Sequence, residues 1–297
     1  MPGDGQLQFN AQPDYSYGGV IPPGLAAQEN YGALGPTVVD LERLPPSPEF
    51  EPLPPLRERF CNRMWVFGND VLQDARNFYS FRSLAWLTAG LGLGAAIANT
   101  PADENLREAY QNNVTDPGVR NFIHDFKIFG EGAIWIPVYA GTALLGTLVE
   151  QYPSGAAAQE WGERSFRTCL VGAVPLLSLQ YITGASRPGE SEYGSTWQPF
   201  QDSNGLSGHA FIGAVPFMSA AKMTDNLFLK SVLYATSTLT GISRINDDDH
   251  YTSQVIMGWG LAYLSATAID RTQMSSNVTV FPTRIADGYG LGMELRR

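Results

Sequence analysis

Two arginines, two histidines and a Ser-Gly pair stand within 64 residues of this chain: Arg187-Pro188, Ser207-Gly208-His209, and Ser243-Arg244 with His250 six positions past the arginine. The chain has only three histidines, so two of the three fall inside these blocks. Guanidinium groups stay charged at any working pH and fork onto the oxygens of a tetrahedral oxyanion. A helix starting at Ser207 would offer the same anion its free backbone N–H groups and the positive end of its dipole, while Gly208 keeps the approach clear of a side chain. Imidazole is the side chain suited to nucleophile and proton-transfer work near neutral pH. The set can therefore capture a phosphate or vanadate group and do chemistry on it.

Written out, the blocks are Gln180-Tyr-Ile-Thr-Gly-Ala-Ser-Arg187-Pro188, then Leu206-Ser207-Gly208-His209, then Ser243-Arg244-Ile-Asn-Asp-Asp-Asp-His250-Tyr-Thr-Ser-Gln254. Their order and spacing resemble the phosphatidic acid phosphatase type 2 superfamily, which includes bacterial acid phosphatases, lipid phosphate phosphatases and vanadium haloperoxidases. That family's pattern is Lys-x6-Arg-Pro, Pro-Ser-Gly-His and Ser-Arg-x5-His-x3-Asp, and the resemblance covers about residues 75 to 272.

The resemblance implies that His250 attacks phosphorus to give a phosphohistidine and that His209 protonates the departing alcohol, then serves as base for water. Arg187, Arg244, Ser207 and Gly208 would hold the phosphate. It implies a small phosphorylated substrate and no metal or other cofactor, or vanadate bound through His250 in the haloperoxidase branch. It also implies an exported, periplasmic or outward-facing membrane-associated location. A non-catalytic member would keep the fold alone.

Two positions depart from the family. Gln180 stands where the family has lysine, seven residues before Arg187 and so on the same helix face. Its amide can still donate to a phosphate oxygen, and Lys127, Arg164 or Lys222 could restore the missing charge. Gln254, one turn after His250, stands where the family has aspartate. Its oxygen can fix the imidazole tautomer without stabilising an imidazolium, and Asp249, or its neighbours Asp247 and Asp248, could supply that charge. His124 has no comparable setting and reads as structural. In the loop from Glu190 to Gln201, Tyr193, Trp197 and Phe200 offer aromatic walls to a substrate.

These residues need a frame. At 297 residues and 44% apolar, the chain can bury a sizeable core. Its net charge of −10 excludes a nucleic-acid surface. Six uncharged or nearly uncharged runs, at roughly 80–99, 131–150, 165–185, 207–223, 227–243 and 251–270, predict an all-α, six-helix bundle over residues 58–274. Lys222, Lys230 and Arg244 interrupt these runs, and mean hydropathy over the chain is −0.12, so they read as buried helices of a water-soluble bundle. Membrane association and homo-oligomer formation stay open alternatives. Eleven of the twenty prolines precede residue 56, which predicts an extended arm over residues 1–57. Alternation past residue 275, at Val278, Val280, Tyr289, Leu291, Met293 and Leu295 around Asp287-Gly288, predicts a β-hairpin tail over 275–297. Cys61 and Cys169 are far apart and read as two buried thiols, with one long-range disulfide as the alternative.

Overall fold

The computed structural model describes residues 56–149, 152–276, 278–285 and 288–295. The expected Pro-rich arm, up to its last two residues, lies outside them. The described helices are α1 (Leu56–Phe78), α2 (Phe81–Ala98), α3 (Ala102–Asn113), α4 (Pro117–Asp125), α5 (Gly132–Gly146), α6 (Pro153–Thr183), α7 (Gly208–Lys222), α8 (Leu227–Thr236), α9 (Leu239–Asn246) and α10 (Thr252–Ser276), with a 3-10 turn at Phe126–Gly130 between α4 and α5. Strands β1 (Val278–Ile285) and β2 (Gly288–Leu295) follow and pair antiparallel, Val278 opposite Leu295 and Ile285 opposite Gly288.

The frame is helical, but the count of six is corrected to ten among the described residues. Counting uncharged runs passes over α1, α3 and α4, which carry charges throughout. It also starts α6 too late. The helix begins at Pro153, where a missing N–H costs nothing. Its charged stretch is internally paired, Arg164 with Glu160 and Arg167 with Glu163. The single run expected over 227–243 is two helices, because Ser237 and Thr238 turn their hydroxyls back onto the carbonyls of Tyr234 and Ala235. Two helix starts are capped as their residue types predict: Asp116 accepts from Val119 N–H at 2.9 Å and Asn226 from Leu229 N–H at 3.0 Å.

Helices α7 and α10 form the centre. Phe211, Ala214, Val215 and Met218 of α7 share one buried cluster with Leu261, Ala262 and Ile269 of α10. Cys169 is buried there while Cys61 is exposed, and both are free thiols, which corrects the expectation that both are buried.

The expectation of buried helices fails for the outer ones. Helices α2 and α6 are long and apolar enough to cross a membrane, and only 17% and 44% of their most apolar windows are buried. A third span is added if the bent pair Pro117–Gly130 and Gly132–Gly146 counts as one. Trp86 and Leu93 of α2 and Val174 and Leu177 of α6 are all more than half exposed.

Ion pairs gather at the two ends of this apolar zone. At one end Arg167 grips Asp74 at 2.7 Å, Arg164 and Lys222 meet Asp270 at 3.3 and 3.5 Å, and Arg271 reaches Ser83 at 3.1 Å. No charged residue then occurs between Arg82 and Asp103, between Arg167 and Arg187, or between His250 and Asp270. The helical part of each gap is roughly 16 to 18 residues, or about 25 Å. At the other end lie the three blocks.

Candidate active site

The blocks are carried by element ends. Helix α6 stops at Gly184, whose φ of 63° is left-handed and whose added Cβ would lie 1.9 Å from the Gln198 carbonyl oxygen, so only glycine serves there. Arg187 follows three residues later. Ser207 caps α7 by accepting from Ala210 N–H at 3.2 Å, which makes Gly208 and His209 its first two residues. Arg244 is in the last turn of α9, and His250 precedes α10 by two residues.

Backbone hydrogen bonds stitch these ends together. Ser207 N–H donates to the Gln254 carbonyl at 2.9 Å, and His250 N–H to the Arg244 carbonyl at 3.2 Å. Gln180 Nε2 donates to the Leu206 carbonyl at 2.8 Å, beside Gly208, and Gln254 Nε2 donates to the Ser186 carbonyl at 2.7 Å. Each block is thus tied to another, and residues far apart in sequence share one site.

Arg244 is 4% exposed. Its Nη2 donates to Asp249, yet among the described residues Nε and Nη1 have no hydrogen-bond partner, and Asp247 stands 3.7 Å from Nη1. A buried guanidinium edge without acceptors is costly unless an anion completes it. Arg187 is half-exposed and held by Asn204, its Nε donating to Oδ1 at 3.0 Å.

The His250 ring is buried and its tautomer is fixed. Gln254 Oε1 accepts from Tyr251 N–H at 3.1 Å, while its Nε2 donates to Ser186, so Oε1 can only accept from His250 Nδ1 at 2.7 Å. Nδ1 therefore carries the hydrogen and Nε2 keeps its lone pair. Burial pushes the His250 pKa down to about 3; the Gln254 hydrogen bond opposes this, and the charges of Arg187, Arg244 and His209 add smaller downward pushes. His209 is also held below the ordinary histidine range, by burial and by Arg244, while Glu131 opposes the shift. His250 thus stands in the fields of Arg187, Arg244 and His209, and His209 in that of Arg244.

Asp249 was expected to serve His250. It pairs with Arg244 instead, Asp247 pairs with His124 at 2.9 Å, and Asp248 pairs with Arg107 at 2.6 Å. Each carboxylate of the run is already committed to a side chain other than His250. Of the three cations offered in place of the family lysine, Arg164 and Lys222 belong to the charged layer at the far end. Lys127 is half-buried, has no ion pair among the described residues, and contributes to the field on His209. The loop aromatics divide: Trp197 packs against the core, Phe200 is exposed with a φ of 66°, and Tyr193 lines a cavity with Glu104 and Tyr251.

Sequence reasoning missed two neighbours. Glu131 Oε1 lies 3.3 Å from His209 Nε2, and Asp103 of α3 accepts from Ser253 N–H at 3.0 Å and from its hydroxyl, anchoring the start of α10. Neither sits in a block, and only tertiary structure brings them in.

A family model described as the PAP2 superfamily matches residues 169–276, which takes in all three blocks. No curated protein and no solved structure matches the chain.

Proposed function

Residues 169–276 form a PAP2 superfamily region, and on that premise we propose that the chain is a phosphomonoester hydrolase acting through a phosphohistidine on His250. The observation that carries the reading is the buried Arg244 edge, two nitrogens without a hydrogen-bond acceptor among the described residues, beside an imidazole whose free Nε2 is neutral.

In this mechanism Arg187, Arg244 and the N–H groups at the start of α7 hold the phosphoryl oxygens and take up the charge that grows on them in the transition state. The Nε2 lone pair of His250 forms the N–P bond as the P–O bond to the alcohol breaks. His209 as imidazolium gives its proton to that departing oxygen. Neutral His209 then takes a proton from water, the resulting hydroxide forms the new P–O bond, and the N–P electron pair returns to Nε2. No metal enters any step. Because His209 must start protonated and its pKa is lowered, kcat/KM should fall as pH rises toward the ordinary histidine value of about 6.5. The optimum is acidic.

Helices α2 and α6, uncharged over a length close to the roughly 30 Å hydrocarbon core of a bilayer, favour a membrane-associated enzyme with its site at one face. An apolar groove of about 460 Å³ between α2 and α10 reaches Leu206, next to Ser207, and would suit the chain of a lipid phosphate.

Turnover of p-nitrophenyl phosphate by wild type and by His250→Ala, from about pH 4 to about 8, tests the activity. Hydrolysis lost in the variant is expected. Equal background in both would leave a non-catalytic fold, and bromide oxidation with added vanadate and peroxide in place of hydrolysis would move the reading to a haloperoxidase.

A further inference from the structure

His209 is gripped from outside the three blocks. The 3-10 turn passes so close that a Cβ on Gly130 would lie 2.8 Å from both Cβ and Cδ2 of His209 and 3.0 Å from its Cα. Contacts that short are not tolerated, so glycine is what admits the ring. The next residue, Glu131, starts α5, but its carboxylate makes no capping bond to that helix. It turns to His209 Nε2 instead, at 3.3 Å.

We propose that Gly130 and Glu131 are a positioning pair for His209, Gly130 admitting the ring and Glu131 holding Nε2, so that Nδ1 is the nitrogen that exchanges a proton with the leaving-group oxygen. This rests on His209 being the acid of the proposed hydrolysis. The charged and titratable groups around the ring are Arg244 from α9, the neutral His250 ahead of α10, Lys127 from the 3-10 turn and Glu131 itself. Only Glu131 is an anion, so it is the group that keeps the imidazolium accessible against burial and the cations. A small cavity of about 240 Å³, lined by His124, Asp125, Lys127, Ile128 and Glu131, adjoins the same carboxylate.

Two readouts test this on the full chain. In pH profiles of kcat/KM, Glu131→Gln should move the descending limb about one pH unit more acidic, as loss of a facing opposite charge predicts, while Glu131→Asp keeps the limb near its wild-type position. NMR titration of the His209 ring should show the same displacement in Glu131→Gln and its recovery in Glu131→Asp. A rate loss uniform in pH, or an unmoved His209 midpoint, would overturn the proposal. The two levels fail separately. If wild type turns nothing over, the hydrolase reading falls while the titration still decides whether Glu131 controls His209. If His250→Ala is dead but the Glu131→Gln limb stays put, only the positioning role falls.

Discussion

Gln254 orients His250 as a carboxylate would, but without the charge, and it is locked in that role by three hydrogen bonds. The near-isosteric Gln254→Glu puts a carboxylate oxygen against the Ser186 carbonyl in place of an N–H donor. A buried acceptor loses its partner, so unfolding in urea should show stability lower by about 1–3 kcal/mol. Unchanged stability would mean the Ser186 contact is dispensable. At this scale the sequence was informative about the side chains of the candidate site, because Arg187, His209, Arg244 and His250 declare themselves by type and spacing. It was silent on what holds them. Glu131 and Asp103 are ordinary acids until folding sets one beside His209 and the other at the start of α10, and Asp249 misled because proximity in sequence to His250 did not become proximity in its hydrogen bonding.

The site is assembled at helix ends, and α10 does the most to assemble it. Gly258 lets α10 lie against the start of α7: an added Cβ would stand 2.3 Å from the Ser207 carbonyl oxygen, a backbone atom that can move only with the helix start. Gly258→Ala should therefore lower stability by about 1–3 kcal/mol, the usual cost of overpacking, and should weaken protection by added phosphate in thermal unfolding. Equal phosphate protection in variant and wild type would show that the start of α7 does not contribute to anion binding. Apolar runs gave α2, α5 and α7 within a few residues, and the start of α10, because their faces are continuous. They hid the Ser237-Thr238 break and the early start of α6, where local hydroxyl bonds and paired charges decide the outcome.

Among the described helices, charge gathers in two layers separated by an uncharged zone about 25 Å long, with the site in one layer and the Arg167, Asp74 and Asp270 ion pairs in the other. Composition concealed this. Polar residues and the Pro-rich first segment pull mean hydropathy to −0.12, and only the fold shows that the charges cluster at the ends while Trp86, Leu93, Val174 and Leu177 face outward. Expressed in cells, the chain should stay with the membrane pellet through an alkaline carbonate wash and come off only in detergent. Release by carbonate alone would mean that the apolar zone is covered by protein.

The central claim is that phosphate passes through His250. Rapid mixing with ³²P-labelled monoester, an alkaline quench that preserves phosphohistidine, and peptide mapping measure this directly. The account predicts label on the peptide carrying His250 in wild type and none in His250→Ala. Inorganic phosphate released at full rate with no labelled protein, or with label on another residue, would contradict it.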